Sequence, residues 1–366
     1  MTEYKIKLRQ SSMPSANQLV TYLKEIDENK IYSNRGPLLN KLESRLARNL
    51  KVDAKRVVVL SSGTIALELA LRTIPKKKNS KNLCIMPAFT FPATVSAAIS
   101  AGFTPYFLDV SGENYMLEPN DIINNHVDLN DISAVIPVSS FGSSLNIKGW
   151  DQFYEDTNIN VVLDEAWSFD NFKVSKNNFS MISLHSTKVL GTGEGGLLIL
   201  PERVDKSWLV ELSNFGFNEN RTNIKKFGTN AKMSEYSAAV GLASLDRWEE
   251  VKEKCLKIQN HIIEGIKAFD DINLFPGLKS DWVWMSFVIV ADQEKLKRIK
   301  KKMKINNIES RSWWETLCSD YDAFKCYPKE QLIVSKKISQ THLNLPLHEH
   351  LSLEDIEKIL TKIKES

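Results

Sequence analysis

The sequence predicts an α/β fold, with a mainly parallel sheet in a large domain over residues 1–249 and a smaller C-terminal α+β domain over residues 250–366. Three observations predict it. Short apolar runs alternate with helix-like segments through the first 200 residues, the pattern of a parallel sheet buried on both faces. Several of those runs end in small or polar residues, as strands do where they feed a ligand site. Beyond Leu200 the alternation gives way to longer helical stretches and a few isolated strands.

In order, the first helix lies around Asn17–Glu25, and a turn follows at Ser33-Asn-Arg-Gly-Pro37. Pro37 opens a second helix to Leu50, since its missing N–H costs nothing in a first helical turn. Arg56-Val-Val-Val-Leu60 is a β-branched strand, and Ser61-Ser-Gly-Thr64 turns it into an alanine- and leucine-rich helix. Leu83–Met86 and Pro105–Asp109 are strands, with a loop over 87–94 and a helix over 95–101 between them. Ile132–Val138 and Asn160–Leu163 are two more, separated by a helix around Trp150–Tyr154. A glycine-rich turn at Gly191–Gly196 enters another apolar strand. Helices are expected over 233–248, 251–269 and 293–305, a strand over Trp282–Val290, and a terminal helix from Leu353.

The chain has 366 residues, of which 42% are hydrophobic and 25% charged, long enough for two domains with a sizeable core. Its net charge of +3 comes from mixed acids and bases, so nothing in it favours nucleic acid. The basic run Lys297–Lys304 carries apolar residues at helical spacing and reads as a solvated helix face. Four cysteines without a CxxC pair, and a start without an apolar leader, fit a cytoplasmic protein with reduced thiols. No run approaches the roughly 20 apolar residues that span a bilayer. The histidines, His348 and His350 included, form no recognisable metal-ligand spacing.

Chemistry gathers at the strand ends. Ser61–Thr64 begins a helix, where free N–H groups and hydroxyls suit a phosphate. Asp164 follows its strand directly, placed to face a cationic ring nitrogen, and Phe91 offers an aromatic plate. Ser183 lies just upstream of Lys188, an amine between an apolar run and glycine-rich backbone, where loss of water lowers its pKa and strengthens it as a nucleophile. Taken singly, these are equally a helix cap, core packing, a strand hydroxyl and a surface lysine. Together they are what holds pyridoxal phosphate, with Lys188 as the Schiff-base amine and Asp164 as the partner of the pyridine nitrogen.

The motifs also resemble, nearly end to end, the DegT/DnrJ/EryC1/StrS family of fold-type-I sugar aminotransferases. The matching stretches are Tyr32–Pro37, Ser62–Leu67, Pro87–Thr94, Gly102–Asp109, Leu163–Ala166, His185–Lys188 with Gly193–Gly196, and Asn230–Glu235 with Ala238–Gly241. The resemblance implies that Gly63, Thr64 and Ser183 bind the cofactor phosphate, Phe91 stacks on the ring, and Trp167 lies near it. Asn230 would reach the neighbouring subunit's site in a homodimer. It further implies ping-pong transfer from L-glutamate to a nucleotide-linked keto sugar, with Lys188 moving the proton. The expected reaction is C4 amination of a dTDP-4-keto-6-deoxyhexose for surface polysaccharide or O-antigen. The alternatives are C3 amination, a sugar dehydratase and an altered regulatory homologue. Relatives that dehydrate carry His at the lysine position, and Lys188 is retained.

Three places depart from the family pattern. Trp167 stands where Gln or His is usual and can donate one N–H but accept none. Asn230-Ala-Lys232 replaces Asn-x-Arg and so lacks the forked guanidinium. Ile308–Trp314 resembles an Arg-x-Tyr-Phe-x-Pro element without its proline, leaving Arg311 and Trp313 as candidate substrate contacts.

Overall fold

The computed structural model describes residues 4–366. Its elements in chain order are α1 (Ala16–Asn29), α2 (Pro37–Asn49), β1 (Val57–Leu60), α3 (Gly63–Arg72), β2 (Leu83–Pro87), α4 (Pro92–Ser100) and β3 (Thr104–Leu108). Then come α5 (Pro119–Ile123), β4 (Ile132–Val135), α6 (Ile147–Thr157), β5 (Asn160–Asp164), β6 (Phe179–Ser183), β7 (Gly196–Ile199), α7 (Lys206–Ser213) and α8 (Glu235–Asp246). The chain closes with α9 (Trp248–Ile266), β8 (Asn273–Leu274), β9 (Phe287–Val290), α10 (Gln293–Ile305), α11 (Ile333–Gln340), β10 (His342–Leu345) and α12 (Leu353–Lys364).

Seven strands form one sheet in the order β1-β7-β6-β5-β4-β2-β3. Pairing is parallel from β3 through β6, and β7 runs antiparallel to both its neighbours. Residues one apart on a strand face opposite sides, so a strand buried on both needs an unbroken apolar run. In β1, Val58 and Leu60 enter one core while Val57 and Val59 enter another, and β7 divides Leu198 from Leu197 and Ile199 likewise. The second sheet, β10-β9-β8, is antiparallel and packs on α9, α10 and α12 around Phe287, Ile289, Leu343 and Ile359. Ile6 joins that C-terminal core and bridges to Ile308, which carries the N-terminal segment across to it.

Two buried glutamates knit the helices to the large sheet. Glu235 accepts the N–H groups of Leu38 and Leu39 at 2.7 and 3.0 Å, placing a carboxylate on the free donors of α2. Glu43 accepts Val59 N–H at 2.9 Å on the sheet edge and pairs with Arg35 at 2.6 Å and Lys206 at 2.7 Å. Glu43→Ala leaves an edge donor and two cations without their acceptor and should cost about 3 kcal/mol, read as a lower denaturant midpoint.

Two expectations are corrected. The helix expected at 95–101 begins at Pro92, so Pro92 opens the helix and Phe91 stands at its N-cap. The strand expected over 282–290 forms only at Phe287–Val290. Before it, side chains satisfy the backbone: Gln259 bonds Trp282 C=O at 2.9 Å and Trp284 N–H at 3.0 Å, and Asp170 accepts Val283 N–H at 2.9 Å. With those groups already paired, no neighbouring strand is required there.

Candidate active site

The carboxyl ends of five strands open into one cavity of about 600 Å³. β1 delivers the start of α3, where Ser62 Oγ accepts Ile65 N–H at 3.2 Å and ends the strand by capping the helix. Gly63 sits against the end of β6: a Cβ there would lie 3.0 Å from Met181 Sδ and 3.3 Å from the Ser183 Cβ. Glycine therefore lets the helix terminus and Ser183 share one small anion cradle. At Gly196 a Cβ would overlap the Ser62 carbonyl, so the turn ahead of β7 comes equally close.

Lys188 lies on a loop closed by its own backbone. Leu184 N–H bonds Gly195 C=O at 2.9 Å, Ser186 N–H bonds Gly193 C=O at 2.7 Å, and Lys188 N–H bonds His185 C=O at 2.8 Å. Gly193 takes φ +85° to close it, a region costly for other residues. The Lys188 amine stands 4.7 Å from the Trp167 ring centroid. Burial pushes its pKa down to about 7, the charge of Arg9 adds to the shift, and Asp164 opposes it. A neutral amine in quantity near pH 7 is what nucleophilic attack on a carbonyl requires. In the cofactor-free protein, labelling of Lys188 by an amine-selective anhydride should rise with pH and level off above about 7. An ordinary lysine keeps rising to ~10.4.

Asp164, at the end of β5, is buried. Thr94 Oγ1 donates to one carboxylate oxygen at 2.8 Å and Ala166 N–H to the other at 3.3 Å. Burial raises its pKa, while Thr94, Ala166 and the Lys188 charge pull it back. It has no ion-pair partner among the described residues. A buried carboxylate without a counter-charge accepts a protonated heterocycle readily.

Trp167 forms one wall. Its ring meets Phe141 at 5.6 Å and Trp314 at 6.4 Å, and Phe141 stacks on Trp314 at 4.8 Å and 13°. At the mouth, the exposed Arg311 lies 4.4 Å over the Trp313 ring. Phe91, 51% exposed, lines the same cavity.

Gly63, Thr64, Phe91, Ser183 and the other residues singled out from the sequence thus share one cavity, apart from Asn230. Asn230 is exposed beyond the end of β1 and does not line it. Thr94 and Arg9 were not singled out. Thr94 stands in plain view, one turn after the aromatic motif. Arg9 has no local pattern, and the pairing of Ile6 with Ile308 is what brings it in.

The anion cradle, the unpaired buried carboxylate and the amine fit a phosphate, a ring nitrogen and an aldehyde respectively. The sequence profile of the DegT/DnrJ/EryC1/StrS aminotransferase family matches residues 15–364.

The chain belongs to that aminotransferase family.

It is a pyridoxal-phosphate-dependent aminotransferase. A dTDP-4-amino-4,6-dideoxy-D-glucose transaminase of Shigella dysenteriae is 26% identical, covering 99% of both chains. A GDP-perosamine synthase of Escherichia coli O157:H7 is 22% identical over 94% of each. Among solved structures, a putative PLP-dependent aminotransferase from Bacillus cereus ATCC 10987 superposes with a TM-score of 0.89 at 26% identity, covering 98% of this chain and 99% of the other. Among the described residues no cluster of His, Cys, Asp or Glu could hold a metal, and no helix is long and apolar enough to cross a membrane.

Proposed function

We propose that this aminotransferase moves the amino group of L-glutamate to C4 of a nucleotide-linked 4-keto-6-deoxyhexose, dTDP-linked for preference, in making a surface polysaccharide. The observation that carries the reading is Lys188, an amine with a lowered pKa in the same cavity as the exposed Arg311, which stacks on Trp313. The Shigella relative, which covers 99% of this chain, supports the sugar and its position. The perosamine synthase supports a nucleotide-linked sugar more broadly.

Gly63, Thr64 and Ser183 would hold the cofactor phosphate, Phe91 would cover the ring, and Asp164 would keep its nitrogen protonated. Bound there, pyridoxal phosphate supplies an aldehyde that takes up amines and a ring that withdraws the electron pair left when a carbon loses its proton. Lys188 would yield its place to the incoming amine, take the proton from the donor's α-carbon in the first half of the cycle, and in the second half deliver a proton to the sugar carbon that gains the amine. Over the full cycle the donor's amine and the sugar's carbonyl oxygen change places. Trp167 lines the cavity with its ring centroid 4.7 Å from the Lys188 amine, at the position where the family resemblance implies an amide or imidazole.

Asn230 belongs to the proposal through a second copy of the chain. Asn230 is exposed, as are the apolar side chains of Phe227, Ile224 and Tyr236 nearby in sequence, 89, 52 and 49% exposed, and exposed apolar side chains are what a dimer would cover. The reading is tested by supplying glutamate, the cofactor and a panel of nucleotide-linked 3-keto and 4-keto sugars, and identifying products by mass spectrometry. A 4-amino product with dTDP sugars supports it. A 3-amino product moves the chemistry to the neighbouring carbon, and consumption of the sugar without any amine gained sinks transamination.

A further inference from the structure

Among the described residues, the cavity contains Arg9, a cation that the proposed mechanism leaves unused. Arg9 is delivered by the N-terminal segment, which is pinned at several points. Ile6 bridges Ile308, Leu8 N–H donates to Glu309 Oε2 at 2.9 Å, His348 Nε2 donates to Lys7 C=O at 3.1 Å, and Arg247 reaches Met13 C=O at 3.2 Å. So held, Arg9 donates from Nη2 to Thr187 C=O and from Nη1 to Leu347 C=O at 3.5 Å. Both partners are neutral carbonyls, and Nε is buried with no partner. Among the described residues Arg9 forms no ion pair, and Glu309, which lines the same cavity, has one oxygen committed to Leu8. Burial lowers its guanidinium to about 10, with Cys255 opposing, so it remains a cation at neutral pH.

Arg9 is half-buried with its Nε fully buried, and a cation so placed with only carbonyl partners retains part of its desolvation cost, which an arriving anion offsets. Three anions can enter this cavity: the cofactor phosphate, the phosphates of a nucleotide and a carboxylate. The first has the cradle at Gly63 and Ser183. The second belongs to a long substrate whose nucleotide must extend outward, past the exposed Arg311. Arg9 is bonded to the carbonyl of Thr187, next to Lys188, where an amino acid's carboxylate must come if its amine is to reach the reacting aldehyde.

We propose that Arg9 is the carboxylate subsite for the amino donor, so that it sets the preference for an amino acid as the source of nitrogen. The proposal rests on the reading that the donor is an amino acid. It assigns the two halves of the reaction to different cations, Arg9 for the donor and Arg311 for the sugar nucleotide.

Glutarate, which has both carboxylates of glutamate and no amine, binds without reacting and serves as the probe. Its affinity for the cofactor-loaded wild type, Arg9→Met, Arg9→Lys and Arg311→Met is measured by calorimetry, beside that of dTDP. Arg9→Met should weaken glutarate about 30-fold or more, as loss of a buried charged partner does, with Arg9→Lys recovering part of it. The affinity for dTDP should stay within about twofold, the range of a substitution that touches no partner. In the same proteins, the rate at which glutamate bleaches the cofactor band should fall, and the advantage of glutamate over its α-amide should vanish. Retention of the cofactor band in each variant controls for folding. Unchanged glutarate affinity in Arg9→Met, an equal loss in Arg311→Met, or a loss confined to dTDP would each overturn the assignment. If glutamate never bleaches the wild type while glutarate still binds through Arg9, the donor's identity falls and the carboxylate subsite stands.

Discussion

Lys188→Ala should abolish turnover, lowering the rate of the glutamate half-reaction by about 10⁴-fold or more, the upper range for losing a positioned proton-transfer group. Two losses coincide in this substitution. The amine that the cofactor's aldehyde condenses with is gone, and so is the group that moves the proton. The loop itself should survive, because its closure rests on backbone bonds among Leu184, Ser186, Lys188, Gly193 and Gly195 that the side chain does not make. Removing a half-buried amine whose charge is disfavoured by burial should leave stability unchanged or slightly raised. The measurement is the absorbance of the loaded protein near the visible edge, before and after glutamate. A variant that still bleaches at the wild-type rate would remove Lys188 from the chemistry, whatever its position in the cavity. Lys188→Arg separates the two roles: it keeps a cation against the Trp167 ring but cannot lose its proton near neutral pH, so it should be as inactive as the alanine.

Much of this was legible because the decisive signals were local. The strands of the large sheet read as apolar runs because both their faces are buried, and the termini of α10 and α12 read well because Asp292 and Ser352 cap them with their own side chains. Most of the residues that line the cavity were legible because strand ends in this kind of sheet converge by topology, so Gly63, Asp164 and Lys188 needed only to be placed at or just beyond the ends of their strands. What failed was set by distant partners. Trp282–Ser286 has the composition of a strand, yet Gln259 and Asp170 claim its backbone. α11 is a short helix whose start is fixed by Asp109, which accepts Val334 and Ser335 N–H at 2.7 Å each from more than 200 residues away. Arg9 is the clearest case. Nothing in Leu8-Arg9-Gln10 distinguishes a surface arginine from one held over the site, because the distinction is made by Ile308, Glu309 and His348 at the other end of the chain.

Asp164→Asn separates chemistry from architecture. An amide keeps the shape of the carboxylate. Its oxygen can still accept from Thr94 or from Ala166, but its nitrogen can only donate. The cofactor-free protein should therefore lose little stability and can gain some, since a buried carboxylate without a counter-ion is exchanged for a neutral group. Activity should move the other way. Without the negative charge nothing at that position favours a protonated ring nitrogen, and an unprotonated ring withdraws electrons less well when a carbon gives up its proton. Loss of one preorganised electrostatic partner typically costs 10²–10³-fold in kcat, and a fall of about that size is expected here, with glutamate binding changed much less. Unfolding of the cofactor-free protein and single-turnover bleaching by glutamate give the two readouts. A stability loss with activity retained would make Asp164 a helix-and-strand fastener through Thr94. Activity lost at unchanged stability identifies the charge as what the site requires, and Thr94→Val, which removes the hydroxyl donor and leaves the carboxylate, should then show a smaller version of the same loss.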